Sequence, residues 1–294
     1  MSSHASESRL MCNGPAQNVS MRQMLFVHVQ KTAGTSLAAV LKQHLPNAYD
    51  LPPWRFLPDQ WVPLNGYDLL VGHVHFELYR LLPERPLFVT MLRDPVERAL
   101  SAYAQYWRSA ADPSASRMDI RQFVAHPAWR NAISNIQVRM IGTPLPLPLG
   151  HPDDIRQMPD FPFEPDAQAA IGRLRNYQFF GLVEDMERSM ALLNQTFGWP
   201  TIELPRLNES EKRIQRHELP PDVLADIIQL NQLDTALYEF AVVEFGRRCK
   251  QLLPPSDLSN ATSARPTACP WAQHRKPQPL CHPSAVRFCS LSHR

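Results

Sequence analysis

Four short runs of apolar residues, each followed by a segment with helical periodicity, constrain the fold of this chain most strongly. The runs span residues 24–29, 69–74, 87–92 and 179–184. Continuous apolar runs of this length are typical of strands that are buried on both faces of a parallel sheet. We therefore expect a three-layer α/β fold, with a central, mainly parallel sheet flanked by helices. In such folds, ligands bind at the carboxyl ends of the strands.

Helical patterns lie between and after these runs. Pro46 ends the first of them, and Asp94 with Glu97 forms the capping pattern of another, in which Pro95 occupies the first helical position. The predicted helices span residues 36–45, 95–107, 118–125, 128–140, 166–175, 186–197, 222–230 and 232–248.

Composition divides the chain of 294 residues into three sections. Residues 1–23 are polar, and residues 254–294 are rich in Pro and Ser, with five basic residues, one acidic residue and no hydrophobic period. Such segments bury too little apolar surface to offset the entropy of ordering, so we predict that both are disordered. Residues 24–253 are predicted to form the folded, functional domain.

Net charge and hydropathy narrow the choice of partners and location. The formal net charge is +2, which does not favour a nucleic acid as a partner. No apolar run reaches the roughly 18 residues that a membrane-spanning helix needs. The first residues also lack the apolar segment of a secretory signal. We expect a cytoplasmic protein, with association to a membrane surface left open.

The cysteines predict neither disulfides nor a metal site. There are five of them, an odd number, and four lie after residue 248. This does not suit a disulfide framework. In the C-terminal section, the spacing of Cys269, His274, Cys281, His282 and Cys289 matches no common zinc pattern. We expect reduced thiols and no bound metal.

The first apolar run leads into the segment Q-K-T-A-G-T-S, residues 30–36, and then into a helix. A helix N-terminus offers free N–H groups and the positive end of a dipole to an anion. Lys31 adds a full charge, and Gly34 allows the backbone to approach a ligand closely. The hydroxyls of Thr35 and Ser36 can donate to phosphate oxygens. The segment predicts a phosphate site in a P-loop-type fold, although the pattern G-x-x-x-x-G-K-[ST] is absent; a loop that only caps the helix is the alternative.

A second anion site is predicted after the run at 87–92. Arg93 follows this run directly, and Ser101 lies two turns into the next helix. An arginine offers a planar pair of donors that matches phosphate oxygens. The alternative interpretation is that Arg93 and Asp94 only cap the helix.

Two histidines lie at the end of the run at 69–74. His73 follows Gly72 directly, and His75 comes two residues later. Histidine titrates near neutral pH, which suits a general base. Either histidine is a candidate, and the alternative is that both are structural. His28 lies within the first run and is predicted to be structural.

The segments Q-K-T-A-G-T-S and L-R-D-P-V-E-R-A-L-S-A-Y, residues 92–103, together resemble those of the carbohydrate sulfotransferases that use 3′-phosphoadenosine 5′-phosphosulfate (PAPS). In that family the first motif binds the 5′-phosphosulfate and the second binds the 3′-phosphate. The heparan sulfate 6-O- and 2-O-sulfotransferase branch is the most similar. Its motifs resemble N-A-I-S-N-I-Q-V-R-M (131–140), F-F-G-L-V-E (179–184) and N-Q-L-D-T-A-L-Y-E-F-A (231–241). The resemblance covers residues 24–248.

The resemblance implies roles for individual residues. His73 lies at the position of the family's catalytic base, and Lys31 would stabilise the leaving phosphate. The residues implied in PAPS binding are Lys31, Thr32, Gly34, Thr35, Ser36, Arg93 and Ser101. The residues implied near the acceptor are His75, Asn131, Asn135, Gln137 and Arg139, of which Asn131, Asn135 and Arg139 would share one face of the predicted helix at 128–140.

The function that follows is in-line transfer of a sulfuryl group from PAPS to a hydroxyl of a carbohydrate, either a polysaccharide or a glycolipid, without a metal. Two alternatives remain. A P-loop kinase of a small molecule is disfavoured by the order of lysine and glycine in the loop. A non-catalytic carbohydrate- or nucleotide-binding relative is disfavoured because Lys31, His73, Arg93 and Ser101 are all present.

Overall fold

The computed structural model of the protein describes residues 22–52, 64–108, 117–143, 164–200, 214–255 and 257. Most of both terminal sections for which disorder is predicted lies outside these residues. Within the described part, no helix is both long enough and apolar enough to cross a membrane.

A parallel sheet forms the centre of the described part of the chain. Its five strands follow the order β2-β3-β1-β4-β5, and every neighbouring pair is parallel. This confirms the predicted α/β class. The strands are β1 (Met24–Val27), β2 (Ala48–Asp50), β3 (Leu69–Gly72), β4 (Leu87–Leu92) and β5 (Phe179–Leu182).

Four of these strands correspond to the four apolar runs. All residues of β1, β3 and β5 are buried, as expected for strands covered on both faces. The sequence analysis did not predict β2, which has only three residues, all of them partly or fully exposed. A short strand at the edge of a sheet carries no continuous apolar signal.

Helices flank the sheet and correspond to most of the predicted ones. A large core cluster surrounds the strands, and a smaller one lies between α2, α3 and α8. In the described residues the helices are α1 (Gly34–His44), α2 (Pro95–Arg108), α3 (Ile120–Ala125), α4 (Pro127–Ile133), α5 (Ile136–Gly142), α6 (Ala167–Arg175), α7 (Met186–Phe197), α8 (Pro221–Leu230) and α9 (Gln232–Leu252).

The prediction of one helix over residues 128–140 was wrong. The chain forms α4 and α5 instead, separated at Ser134 and Asn135. Asn135 has a φ of 49°, in the left-handed region that an asparagine tolerates better than most residues. Asn131 and Arg139 therefore belong to different helices and do not share one face.

The order of the strands brings three segments to one edge of the sheet. Strand β1 lies in the middle, with β3 on one side and β4 on the other. The chain leaves β1 towards one side first and crosses to the other later, which is the topology that places a ligand at the strand ends. Lys31, His73 and Arg93 each follow one of these three strands.

Candidate active site

A pocket of about 490 Å³ lies at the carboxyl ends of β1 and β3, with α2 forming its other wall. This volume falls in the range of small-molecule sites. Two of the predicted binding residues and the predicted base meet here. The pocket is lined by His28, Gln30, Lys31 and Thr35 from the segment after β1, by His73 after β3, and by Ala102, Gln105, Tyr106 and Arg108 of α2.

The loop between β1 and α1 has an unusual backbone. Lys31 and Ala33 have φ values of 67° and 56°, in the region that residues with a Cβ rarely adopt. The buried Thr32 side chain fixes the turn, because its hydroxyl donates to the carbonyl oxygen of Val29 at 2.8 Å. Such strain persists only where surrounding contacts hold it, and it occurs often at ligand sites.

Gly34 begins α1 and lies against the ring of His28. A Cβ at position 34 would stand 1.9 Å from Cδ2 and 2.1 Å from Nε2 of that ring. Only a glycine fits here, and the close approach that requires it is to His28. The sequence analysis explained this glycine by the approach of a ligand to the backbone.

His73 is held in one orientation by the backbone after β1. Its Nδ1 donates to the carbonyl oxygen of His28 at 2.7 Å, and the two rings lie 4.2 Å apart. A carbonyl oxygen only accepts, so Nδ1 carries the proton and Nε2 of the neutral ring has the free lone pair. This is the tautomer that a base acting through Nε2 requires.

The sequence analysis placed His28 inside the first strand. In the structure His28 follows β1, which ends at Val27. Its ring stacks between Phe26 and His73 and lines the pocket. Burial, with smaller effects of the charges of His73 and Lys31, lowers the pKa of His28 to about 3. The ring is therefore neutral near pH 7.

His75 lies away from the pocket. It is 6% exposed and precedes the 3-10 turn at Phe76–Leu81. Burial, followed by the charges of Arg173 and Arg139, lowers its pKa to about 4. The structure therefore separates the two candidate histidines, since only His73 lines the pocket with Lys31.

The pocket is a cationic environment. Burial lowers the pKa of Lys31, and the nearby charges of Arg108 and Arg93 lower it further. Among the described residues that line the pocket, none is acidic. The two cations of the pocket lining, Lys31 and Arg108, favour an anionic ligand.

Arg93 contacts the loop from behind the pocket. Its Nη1 donates to the carbonyl oxygen of Lys31 at 3.3 Å, and its Nε lies 3.8 Å from Oε1 of Glu184. The arginine side chain is 15% exposed. Arg93 thus joins the end of β4 to the loop between β1 and α1, which we call the anion loop (residues 28–33).

The remaining predicted cofactor residues are less accessible. Ser36 is buried within α1, and Ser101 is half-buried on α2. Neither lines the pocket, whereas Thr35 is exposed and does.

Most of the residues assigned to the acceptor do not reach the pocket. Gln137 is fully buried, and both ends of its carboxamide bind the backbone of Arg93. The Asn135 side chain accepts from the amides of Leu233 and Asp234. The polar groups of Gln137 and Asn135 are therefore engaged inside the protein, and these contacts do not favour the predicted role of the two residues near the acceptor.

Two further residues of this segment also lie outside the pocket lining. Asn131 is exposed on α4. Arg139 is half-buried, and its Nε donates to the carbonyl oxygen of Ser134 at 3.0 Å. Like His75, they are absent from the set of described residues that line the pocket.

Comparison with known proteins identifies relatives. No family model matches the chain. Heparan-sulfate 6-O-sulfotransferase 1-A of Danio rerio is 26% identical over 275 residues, which cover 74% of this chain and 63% of that protein. Heparan-sulfate 6-O-sulfotransferase 1 of Homo sapiens is 24% identical over 278 residues, which cover 76% of this chain and 66% of that protein. The chain is a distant homologue of the heparan-sulfate 6-O-sulfotransferases. This confirms the resemblance found in the motifs.

This sulfotransferase homologue spans less than two thirds of the length of either of those relatives. Heparan-sulfate 6-O-sulfotransferase 3-B of Danio rerio is 30% identical over a shorter stretch of 179 residues, 52% of this chain and 41% of that protein. A solved structure, the sulfotransferase from Alicyclobacillus acidocaldarius, has a TM-score of 0.42 and 16% identity, and covers 77% of this chain and 97% of that chain.

The sequence analysis of the sulfotransferase homologue missed one wall of the pocket. Ala102, Gln105 and Tyr106 line the pocket from α2, at the spacing of one helical face. Arg108 adds a cation at the end of the same helix. The amphipathic pattern of α2 was visible, but nothing local shows that its polar face meets the ends of β1 and β3.

The two buried histidines predict acid sensitivity. Their folded-state pKa values, about 3 for His28 and about 4 for His75, lie below the unfolded value of 6.5. Between these values the unfolded state binds more protons, so the free energy of unfolding should fall as pH drops below 6.5. Each histidine contributes up to about 1.4 kcal/mol per pH unit. Urea titrations at several pH values between 7 and 5 give the free energy of unfolding as a function of pH. This free energy should fall less steeply with decreasing pH for His75→Gln than for the wild type. Equal pH dependence would contradict a lowered pKa for His75.

Proposed function

We propose that this chain is a PAPS-dependent sulfotransferase that transfers a sulfuryl group to a hydroxyl of a carbohydrate. The observation that carries the proposal is that Lys31 and His73, from the ends of two adjacent strands, line one cationic pocket. The homology supports the reaction class. The names of the relatives specify heparan sulfate as their acceptor, which supports a polysaccharide here.

The charge of the pocket supports an anionic donor. PAPS, when bound, supplies a sulfuryl group on a phosphate leaving group, together with a separate 3′-phosphate. The loop that would hold the phosphosulfate combines the Lys31 ammonium with free N–H groups at the start of α1. Thr32, Gly34, Thr35 and Ser36 shape this loop. Arg93 and Ser101 are the residues proposed for the 3′-phosphate.

His73 is proposed as the general base. Its Nδ1–H is fixed on the His28 carbonyl, which leaves Nε2 to take the proton of the acceptor hydroxyl. His28 supports this arrangement because its neutral ring packs beside that of His73. The burial of His75 outside the pocket disfavours it as the base.

Lys31 is proposed to stabilise the charge that develops on the leaving phosphate. Its ammonium lies in a partly buried pocket, where charges interact more strongly than in water. A cation fixed at this point favours the transition state over the ground state. Thr35, exposed in the same pocket, offers a hydroxyl donor beside it. No covalent intermediate on the protein is needed.

Binding of adenosine 3′,5′-bisphosphate, the nucleotide product, tests the cofactor class. We expect calorimetry to show binding without magnesium, and we expect Arg93→Ala to weaken it about tenfold to a hundredfold, because a charge-assisted contact is lost. Arg121→Ala is the matched control. Arg121 is exposed and forms an ion pair with Asp222 on α8, so this variant should bind as the wild type does.

The same experiment distinguishes the kinase alternative. ATP and ADP are titrated with and without magnesium beside the bisphosphate. Magnesium-dependent binding of ATP, together with no binding of the bisphosphate, would contradict the proposed function and favour a kinase.

A further inference from the structure

The side chain of Gln137 forms two hydrogen bonds with the backbone of Arg93. The Arg93 N–H donates to Oε1 at 3.0 Å, and Nε2 donates to the Arg93 carbonyl oxygen at 2.9 Å. Gln137 is 0% exposed, so water does not compete for these groups. A carboxamide offers one donor and one acceptor in the arrangement that a neighbouring peptide would offer.

These hydrogen bonds lie just beyond the point where the hydrogen bonds between β4 and β5 end. The pairing of β4 with β5 ends at Leu92 and Leu182, and Arg93 lies one residue beyond it. Gln137 therefore supplies to the Arg93 peptide the kind of hydrogen bonds that a strand supplies to residues within the sheet. As a result, the direction in which the Arg93 side chain leaves the backbone is fixed.

Gln137 is itself fixed by contacts from α9. The buried carboxylate of Asp234 accepts from the amides of Gln137 and Val138, at 3.1 and 2.7 Å, and so caps the first turn of α5. In return, the side chain of Asn135 accepts from the amides of Leu233 and Asp234, both at 3.1 Å. Each helix thus caps the other.

The series of contacts continues from Arg93 to the anion loop. The guanidinium Nη1 donates to the carbonyl oxygen of Lys31, a residue with a positive φ. A displacement of Arg93 would therefore remove one of the contacts that hold the loop. Gln137 does not line the pocket, so it can influence a ligand there only through other residues.

We propose that Gln137 is a positioning residue that orients Arg93 for an anionic group of the donor nucleotide. The inference rests on the proposed function, because it gives Arg93 an anion to bind. It gives a role in the site to a fully buried glutamine that does not line the pocket.

The test compares Gln137→Glu with the wild type by calorimetric titration of adenosine 3′,5′-bisphosphate at pH 8.0 and pH 5.5. An ionised glutamate can accept from the Arg93 N–H but cannot donate to the Arg93 carbonyl. We expect binding about tenfold weaker than the wild type at pH 8.0. Burial beside the Asp234 carboxylate raises the pKa of a glutamate at position 137, so we expect the carboxyl to regain a proton at pH 5.5 and the ratio to the wild type to return towards one.

A double-mutant cycle with Arg93→Ala isolates the route of the effect. If Gln137 acts through the Arg93 side chain, Gln137→Glu should weaken binding in the wild type and have no further effect in Arg93→Ala. Equal weakening in both backgrounds would overturn the inference, because it would indicate a general structural role. Gln168→Glu, an exposed glutamine on α6 with the same change of charge, is the control and should bind as the wild type does.

Two further results distinguish a failure of the inference on Gln137 from a failure of the proposed function. Wild-type affinity of Gln137→Glu at both pH values, with Arg93→Ala weakened, would overturn the inference and leave the proposed function intact. No binding of the bisphosphate by the wild type would overturn the function itself. If Gln137→Glu does not fold, Asp234→Asn replaces it in the same cycle, with weaker binding expected only where Arg93 is present.

Discussion

Replacement of His73 by asparagine is expected to lower the rate of sulfuryl transfer by about 10²–10⁴-fold. The asparagine amide can still donate to the carbonyl oxygen of His28, so the loop after β3 should keep its position. It has no nitrogen that accepts a proton near neutral pH. We therefore expect the affinity for adenosine 3′,5′-bisphosphate to change little, and the loss to appear in kcat.

The matched variant is His75→Asn, two residues along the same segment. Because His75 is buried and does not line the pocket, its replacement should lower the midpoint of thermal unfolding while kcat of the folded protein stays near the wild-type value. The measurements are single-turnover transfer to a carbohydrate acceptor and a thermal melt for each variant. The opposite pattern, with His75→Asn inactive and His73→Asn active, would assign the base to His75.

Replacement of Gly34 by alanine is expected to damage the site more widely. The new Cβ would stand 1.9 Å from a ring carbon of His28, and this ring cannot move freely because it packs between Phe26 and His73. Overpacking of this kind costs about 1–3 kcal/mol. A displaced His28 also moves the carbonyl oxygen that orients His73, so we expect transfer to fall by at least about 10²-fold.

Gly172→Ala provides the control for this prediction. Gly172 lies in α6, where no atom outside its own helix stands within 4 Å of the position that a Cβ would take, so alanine should be neutral or stabilise the helix by about 0.5–1 kcal/mol. Circular dichroism melts and transfer rates measure both variants. Wild-type activity and stability in Gly34→Ala would show that the contact between Gly34 and His28 does not constrain the site.

The central part of the site was predictable because its signals are local. An apolar strand followed by a loop with Lys31 and then by a helix predicts an anion site from these neighbouring residues alone. The buried strands β1, β3 and β4 produce continuous apolar runs, and parallel strands bring their carboxyl ends together. The order of the strands was not predicted, but with β1 and β3 adjacent in the sheet, Lys31 and His73 lie at the same edge.

The segment from Asn131 to Arg139 was misread because its structure depends on distant residues. A spacing of four residues predicts one helical face, but Asn135 adopts a positive φ and interrupts the helix. That conformation is supported by hydrogen bonds with the start of α9, about a hundred residues later in the chain: the Asn135 amide donates to Asn231, and the Asn135 side chain accepts from two amides of α9. Helical periodicity carries no information on such contacts, so buried polar residues resembled a binding surface.

The pairing of α5 with α9 also has a consequence for the order in which the protein forms. Asp234 follows Gln137 by nearly a hundred residues and Arg93 by more than that, so these contacts are among the least local in the fold. Contacts of such separation form late, because a large loop must close first. During synthesis, the strands and the anion loop with Lys31 emerge long before α9. It is α9 that carries Asp234, which holds Gln137 against Arg93. We therefore expect the proposed affinity for the nucleotide to appear in one late step, when α9 docks.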